Sequence, residues 1–495
     1  MFKMEVIGQI FGEVGSSGFN ILVRDSSVSK GSYVKVKHEV NGWVLAQIRS
    51  LKRYNEKYQL SDEIRENKER IIARIEVIGF RNDQNVLDFP KTPFRPGEYV
   101  YLADKKLIMN TLGLNVRTSK GIYLGLLEHT DIPVYLDANR VVQKHVSILA
   151  KTGAGKSYTV GVLVEELLEK GVPVLIIDPH GEYHTLRYPN KNENMEKFGI
   201  KPRSYDTLEY SPLPDINQCD KGFYLSHKNL DAWEIQELLP KLTATQKGIL
   251  YQAVRTLQET KKNYDMYDII NEIVDHQSKS KWGLIEHLEE LLSYPFFKAR
   301  ATKIKNLINK GVASIINLRG LPSDMQSLIV ARLGRGLFEA RKLNKVLPFL
   351  FLIEEAHNFA PERGFGEVPS SKILRIIASE GRKFGLGLCV VSQRPARVDK
   401  NVLSQCNTQI ILKITNPNDL KAISQSLEGF TPGLEREIKR LPPGTALVVG
   451  ESLETPVFVK IRLRKSLHGG EGVSVISRVQ ERKSIIDVFG EIFRR

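Results

Sequence analysis

At 495 residues the chain is too long for one compact core, since domains run to roughly 150 residues each, and its 41% hydrophobic and 26% charged residues exclude a disordered or low-complexity protein. Lysine and arginine exceed aspartate and glutamate by 15 and the isoelectric point is near 9.4, so the surface attracts polyanions, with nucleic acid the leading class of partner. No apolar run approaches the ~20 residues of a membrane span, the densest being Val346 to Ile353, and the first residues lack a signal-peptide pattern, so a cytoplasmic protein without membrane contact is expected.

From Met1 to about Pro133 short β-prone runs alternate with glycine turns: Met4 to Phe11, Asn20 to Arg24, Ser32 to Lys37, Gly42 to Ser50, Arg70 to Phe80 and Glu98 to Ala103. Tyr33-Val34-Lys35-Val36-Lys37 alternates apolar and charged residues, as a strand with one wet face does, and a small closed barrel removes the edges such strands would expose. Asp62 to Arg70 reads as a helical excursion. An N-terminal barrel over residues 1–133 is therefore expected.

After Arg140 strands and helices alternate, which predicts a parallel sheet covered by helices. The strand His145 to Leu149 leads to a helix from Lys156 to Lys170 with Val160, Leu163, Val164, Leu167 and Leu168 on its buried face, then to the strand Val172 to Ile177. From Asp231 to Asn309 strands vanish; Thr243-Ala244-Thr245-Gln246 reads as a capping box before a face of Ile249, Leu250, Ala253, Val254 and Leu257, and another helix lies around Ile285 to Leu292. The alternation resumes with Ser314 to Leu318, Ser323 to Arg341, Leu347 to Ile353, Ser371 to Lys383, Leu386 to Val391 and Gln409 to Ile414, and two late strands, Thr445 to Gly450 and Pro456 to Leu463, follow. The expectation is an α/β core over 134–230 and 311–465, a helical insertion over 231–310 and a basic C-terminal segment over 466–495.

Ala150-Lys151-Thr152-Gly153-Ala154-Gly155-Lys156-Ser157 fits the phosphate-loop pattern except at its first glycine, here Ala150, and sits between a strand and an amphipathic helix. Gly153 and Gly155 let backbone N–H groups curl toward phosphate oxygens, Lys156 reaches the β/γ-phosphates and Ser157 ligates Mg²⁺. The apolar strand Phe349 to Ile353 ends in Glu354-Glu355, predicting Glu354 near the metal and Glu355 polarising the attacking water. Gln393 follows the strand Leu386 to Val391 and would stand at the same sheet edge, facing the γ-phosphate. Arg382 closes a helix, either as an arginine finger for a neighbouring subunit or as a complement to the helix C-terminus; Asp178 ends its strand beside the metal or caps a turn. His180 and His357 lack zinc-site spacing, and Cys219, Cys389 and Cys406 have no CxxC pattern, so neither catalytic zinc nor a disulfide scaffold is expected.

Glu354-Glu355-Ala356-His357 has the look of a DEAH box, but the Ser-Ala-Thr motif of superfamily 2 helicases is absent. Taken in order, the loop Lys151 to Ser157, Ile177-Asp178-Pro179-His180-Gly181-Glu182-Tyr183, Glu354 to His357, Gly381-Arg382-Lys383 and Ser392-Gln393-Arg394-Pro395 resemble the HerA family of the HerA/FtsK superfamily. The resemblance covers nearly the whole chain. It implies a RecA-like ATPase using ATP and Mg²⁺, assembled as a homo-hexameric ring, driving double-stranded DNA through its channel and working with a NurA-like nuclease in DNA end resection, typically in archaea. It further implies nucleotide contacts from Thr152, Gly153, Ala154, Gly155, Lys156, Ser157 and Tyr158, and from Arg140 and Lys460. Two other readings stay open on the residues alone: a motor that pumps protein, related to conjugation and secretion ATPases, and an ATP-binding scaffold for a nuclease.

Overall fold

A computed structural model describes residues 5–25, 28–54, 70–239, 241–427, 431–451 and 453–469. All of the expected excursion at 62–70 but Arg70, and most of the C-terminal segment 466–495, lie outside the described residues.

Six antiparallel strands, Val6–Phe11, Gly18–Val23, Tyr33–His38, Gly42–Tyr54, Arg70–Arg81 and Tyr99–Leu102, close into a barrel, with Gly18–Val23 paired to Arg70–Arg81 at the seam. The Val/Lys alternation reads out as expected: Val34 and Val36 are fully buried, whereas Lys37 is exposed and Lys35 reaches out to Asp104 at 2.8 Å. Val34 and Val36 pack on Ile7, Ile21, Val44 and Ile75 from the surrounding strands, so each strand contributes one face to a single interior.

The second core is built on a 12-stranded sheet. Its central strands, Thr207–Ser211, Ala313–Asn317, Val174–Asp178, Phe349–Ile353, Leu386–Ser392, Val146–Leu149 and Thr408–Ile411, lie parallel in that spatial order. Helices cover both faces, which is why Phe349–Ile353 is apolar at every position and buried throughout. Beyond Thr408–Ile411 the sheet turns antiparallel through Thr445–Val449, Val457–Ile461, Gly121–Leu127 and Pro133–Asp137. The last two strands correct the expected extent of the barrel: Gly121–Leu127 hydrogen-bonds to Val457–Ile461, so the segment before Pro133 contributes to the large sheet. Nothing local in the sequence announces a pairing between residues more than 300 positions apart.

Between the sheet's halves stand the helices Ala232–Leu238, Ala244–Thr260, Met266–Val274 and Lys281–Ser293. The capping box forms, with Thr243 Oγ1 accepting from the Gln246 N–H and Gln246 Oε1 accepting from the Thr243 N–H, and all five residues of the expected apolar face are buried. Leu225–Ser226 and Phe297–Lys298 pair in parallel and tie the two ends of this helical segment together.

The helix Lys156–Glu169 shows its expected apolar face, but it also buries Glu165 and Glu166, which a reading of amphipathicity places in water. Their partner is Arg462, itself fully buried, whose guanidinium lies 2.9 Å from each carboxylate and donates to the Tyr123 carbonyl at 3.1 Å. Lys465 adds 2.9 Å contacts to Glu166 and Glu169. The segment 462–466 thus straps the helix that begins at the phosphate loop. Replacing Arg462 with Met should destabilise the fold by about 3–5 kcal/mol, because two carboxylates remain buried without their main partner; denaturant unfolding followed by circular dichroism measures it.

Candidate nucleotide site

The strand Val146–Leu149 runs straight into the loop, and the helix Lys156–Glu169 begins at its end. Gly153 and Gly155 have φ of 77° and 99°, the left-handed region that glycine enters without strain. Ala150 has no positive φ and is fully buried, its N–H donating to the Ser392 carbonyl at 3.2 Å, so the missing first glycine costs the loop nothing. The N–H groups of Gly153, Gly155, Lys156, Ser157 and Tyr158 take no acceptor among the described residues, and no side chain caps the helix. Five free donors at the positive end of a helix dipole suit a polyphosphate. Tyr158 offers only its N–H, because its hydroxyl accepts from the Arg464 N–H at 2.7 Å and its ring packs on His468.

Glu354 and Glu355 follow the central strand Phe349–Ile353 and stand directly beside the loop. Lys156 Nζ donates to Glu354 Oε1, and to Glu355 Oε1 at 2.8 Å, with all three side chains buried. Burial opposes the charge on Lys156, but the two carboxylates outweigh it and hold the ammonium's pKa above its usual value. Burial also pushes Glu355 upward, yet Lys156, His357 and the Gln393 amide pull its carboxyl below the usual range, which keeps it an ionised base. Glu354, more deeply buried, is raised by desolvation despite Lys156 and the Tyr183 hydroxyl, which donates to Glu354 Oε2 at 2.8 Å. Glu355 has a left-handed φ of 51°, a strained conformation for a residue with a side chain and one that clusters at functional sites.

Gln393 bridges the loop to this carboxylate. Its Nε2 donates to Glu355 Oε1 at 2.6 Å and its Oε1 accepts from Thr152 Oγ1, so a shift of the loop at Thr152 reaches Glu355 through one amide. On the other side, His357 Nδ1 lies 3.3 Å from Glu355 Oε2 and 3.2 Å from Ser392 Oγ. Ser157 Oγ has no hydrogen-bond partner among the described residues.

Of the two roles open to Asp178, its hydrogen bonds are those of a turn cap. Its Oδ1 accepts from the N–H groups of His180 and Gly181 at 3.2 and 2.8 Å, and its Oδ2 from that of Tyr183 at 3.0 Å. Complete burial, with Glu354 adding to it, pushes its pKa up to about 7. The turn it fixes aims Tyr183 at Glu354. Sequence reasoning missed Tyr183; the one signal was a phenol two positions beyond a glycine at a strand end.

Lys460 and Arg140 lie on opposite edges of the sheet. Lys460 pairs in register with Thr445, next to Gly444, whose N–H donates to the Ala154 carbonyl at 3.4 Å, so the exposed Lys460 stands near the loop. Arg140 sits in the helix Ala138–Gln143, which enters the strand Val146–Leu149 from its start, and it donates to the Glu451 carbonyl. The fold does not bring Arg140 to its own chain's loop. Arg382 shares that far edge: it lies in the turn Gly381–Phe384, just before the strand Leu386–Ser392, is exposed, and its guanidinium has no hydrogen bond or ion pair among the described residues.

Comparison with known proteins follows the same order along the chain. The family "HAS barrel domain" matches residues 7–87 and the family "Helicase HerA, central domain" matches residues 122–337. The DNA double-strand break repair helicase HerA of Pyrococcus furiosus is 27% identical over 97% of both chains, and the probable DNA double-strand break repair helicase HerA of Methanocaldococcus jannaschii is 29% identical over 82% of this chain and 88% of its own. Among solved structures, VirB4 of Thermoanaerobacter pseudethanolicus superposes with a TM-score of 0.50 at 17% identity, covering 70% of this chain and 97% of that one, a likeness of fold. With a barrel, a central domain and the loop, acid and glutamine motifs in their expected order, the chain is similar to HerA-family proteins along nearly its whole length.

Proposed function

We propose that the chain is an ATP-driven translocase and helicase acting on double-stranded DNA. The observation that carries this reading is the convergence of Lys156, Glu355, Gln393 and Thr152 at the C-terminal ends of three neighbouring strands, where free N–H groups await phosphate. In this reading Lys156 leaves the carboxylates for the β/γ-phosphates when ATP binds, and Glu355, released from it, takes a proton from the attacking water. Gln393 reports loop occupancy to Glu355. Ser157, with Glu354 behind it, would hold Mg²⁺, which supplies charge neutralisation at the phosphate oxygens.

The placement of Arg382 and Arg140 on the edge opposite the loop supports a ring, since head-to-tail packing sets the far edge of one subunit against the loop of the next. A six-membered ring and a partnership with a NurA-like nuclease in end resection belong to the same proposal, and the relatives named as break-repair helicases favour it. The excess of 15 positive charges suits backbone contacts that ignore sequence. Hydrolysis should therefore rise on addition of duplex DNA, and the stimulation should fall steeply between about 50 and 200 mM salt. Stimulation by an unfolded protein and not by DNA would favour a protein pump instead.

The barrel we assign to ring stability or nuclease docking. A chain starting at Thr118, which keeps Gly121–Leu127 in the large sheet, should retain ATPase activity and lose stable nuclease binding in a pull-down with the purified nuclease. Undiminished binding would remove that role.

A further inference from the structure

A single buried imidazole holds both sides of the turn that carries Arg382. His145 precedes the strand Val146–Leu149, is 1% exposed and adopts a left-handed φ of 58°, a conformation that costs energy for any residue but glycine. Its Nδ1 accepts from the Leu388 N–H at 2.8 Å, and its Nε2 lies 3.0 Å from the Ala378 carbonyl. The first bond requires an unprotonated Nδ1, so Nε2 carries the hydrogen and donates. Ala378 belongs to the helix Ser371–Glu380 and Leu388 to the strand Leu386–Ser392; between them runs the turn Gly381–Phe384.

The same turn is gripped at its other end. Arg341, which is 7% exposed, donates from Nε to the Phe384 carbonyl at 2.7 Å. Gly381 packs so tightly that a Cβ there would lie 2.6 Å from the Leu386 carbonyl oxygen. The backbone of the turn is over-determined, yet the guanidinium it carries is exposed and makes no hydrogen bond or ion pair among the described residues. Rigid backbone under a free charged side chain suits a group presented to a partner and is wasteful for one that merely decorates a surface. Burial, with the Arg382 charge adding to it, holds the His145 pKa down to about 4, so the brace stays neutral beside the arginine.

We infer that His145 is a positioning residue for Arg382, fixing the turn from which Arg382 reaches the phosphates bound by a neighbouring copy. The inference rests on the trans role of Arg382 and adds the element that sets its geometry.

Two substitutions separate the two bonds. Asparagine tolerates a left-handed φ and its Oδ1 takes the place of Nδ1, so His145→Asn keeps the Leu388 bond and loses the Ala378 tether. Glutamine reaches to the Nε2 position, so His145→Gln keeps a donor for Ala378. Hydrolysis by full-length His145→Asn should fall on the order of 10- to 100-fold, the scale of a misplaced catalytic group, with the affinity for a fluorescent ATP analogue unchanged. His145→Gln should retain the larger share of activity. The double variant His145→Asn/Arg382→Ala should be no slower than Arg382→Ala alone, because a brace has nothing to hold once the guanidinium is gone. An Arg382→Ala variant that hydrolyses ATP at the parent rate would overturn the trans reading and the inference together. A slow Arg382→Ala with an active His145→Asn, with losses that multiply in the double variant, or with a His145→Gln as slow as Asn at an unchanged melting temperature, would overturn the brace alone.

Discussion

Glu355→Gln should bind ATP with unimpaired affinity and hydrolyse it on the order of 10²- to 10⁴-fold more slowly, the contribution of a positioned general base. The amide keeps the shape of the side chain and its contact with Gln393, but it cannot take a proton. Lys156→Ala should also abolish hydrolysis, with a different signature: nucleotide affinity falls as well, because the phosphates lose their cation. It also leaves Glu354 and Glu355 facing each other in a buried site, so their carboxyl pKa values should rise in that variant. Measuring turnover beside equilibrium binding of a fluorescent ATP analogue separates the two. Parent-like turnover by Glu355→Gln would move the base to another residue.

The second large effect is expected at Arg382. Arg382→Ala should cut hydrolysis by roughly 10³- to 10⁵-fold if it acts as fingers do in the best cases, while the same chain's own nucleotide affinity is preserved. The fold places Arg382 before the strand Leu386–Ser392 and the loop after the strand Val146–Leu149, and these two strands are parallel neighbours, so the residue cannot reach its own loop. Mixing Arg382→Ala chains with Lys156→Ala chains creates some interfaces with an intact loop on one side and an intact arginine on the other. If the chains assemble as the proposed ring, such mixtures should regain activity that each variant alone lacks. Full activity of Arg382→Ala alone would return the residue to complementing the C-terminus of a helix.

Much of the site was legible because its parts announce themselves locally. A loop with two obligatory glycines between strand and helix, and acids at the end of a wholly apolar strand, carry their chemistry within a few residues. The capping box and the buried face of Ala244–Thr260 were legible for the same reason. What escaped depends on distance along the chain. Arg462 reads as a surface charge until Glu165 and Glu166 are brought to it from nearly 300 residues away. Gly121–Leu127 falls inside the expected barrel segment 1–133, because β-propensity says nothing about which sheet a strand joins. Arg140 stands close to the loop in sequence and on the wrong edge in space, since four residues of strand separate the two ends of the sheet. Asp178 illustrates a third limit: a carboxylate at a strand end looks the same in sequence whether its oxygens face a cation or three backbone N–H groups.

The central claim is that ATP hydrolysis moves the protein along duplex DNA, and displacement of a third strand from a triplex tests it most directly. A short oligonucleotide bound in the major groove at one end of a linear duplex should be released by the parent protein with ATP and Mg²⁺. It should stay bound with a non-hydrolysable analogue or with Glu355→Gln, although the protein should bind the DNA in both cases. Vigorous DNA-stimulated hydrolysis by the parent with no release of the third strand would contradict a translocase, and release by Glu355→Gln at the parent rate would show that the movement does not depend on this site.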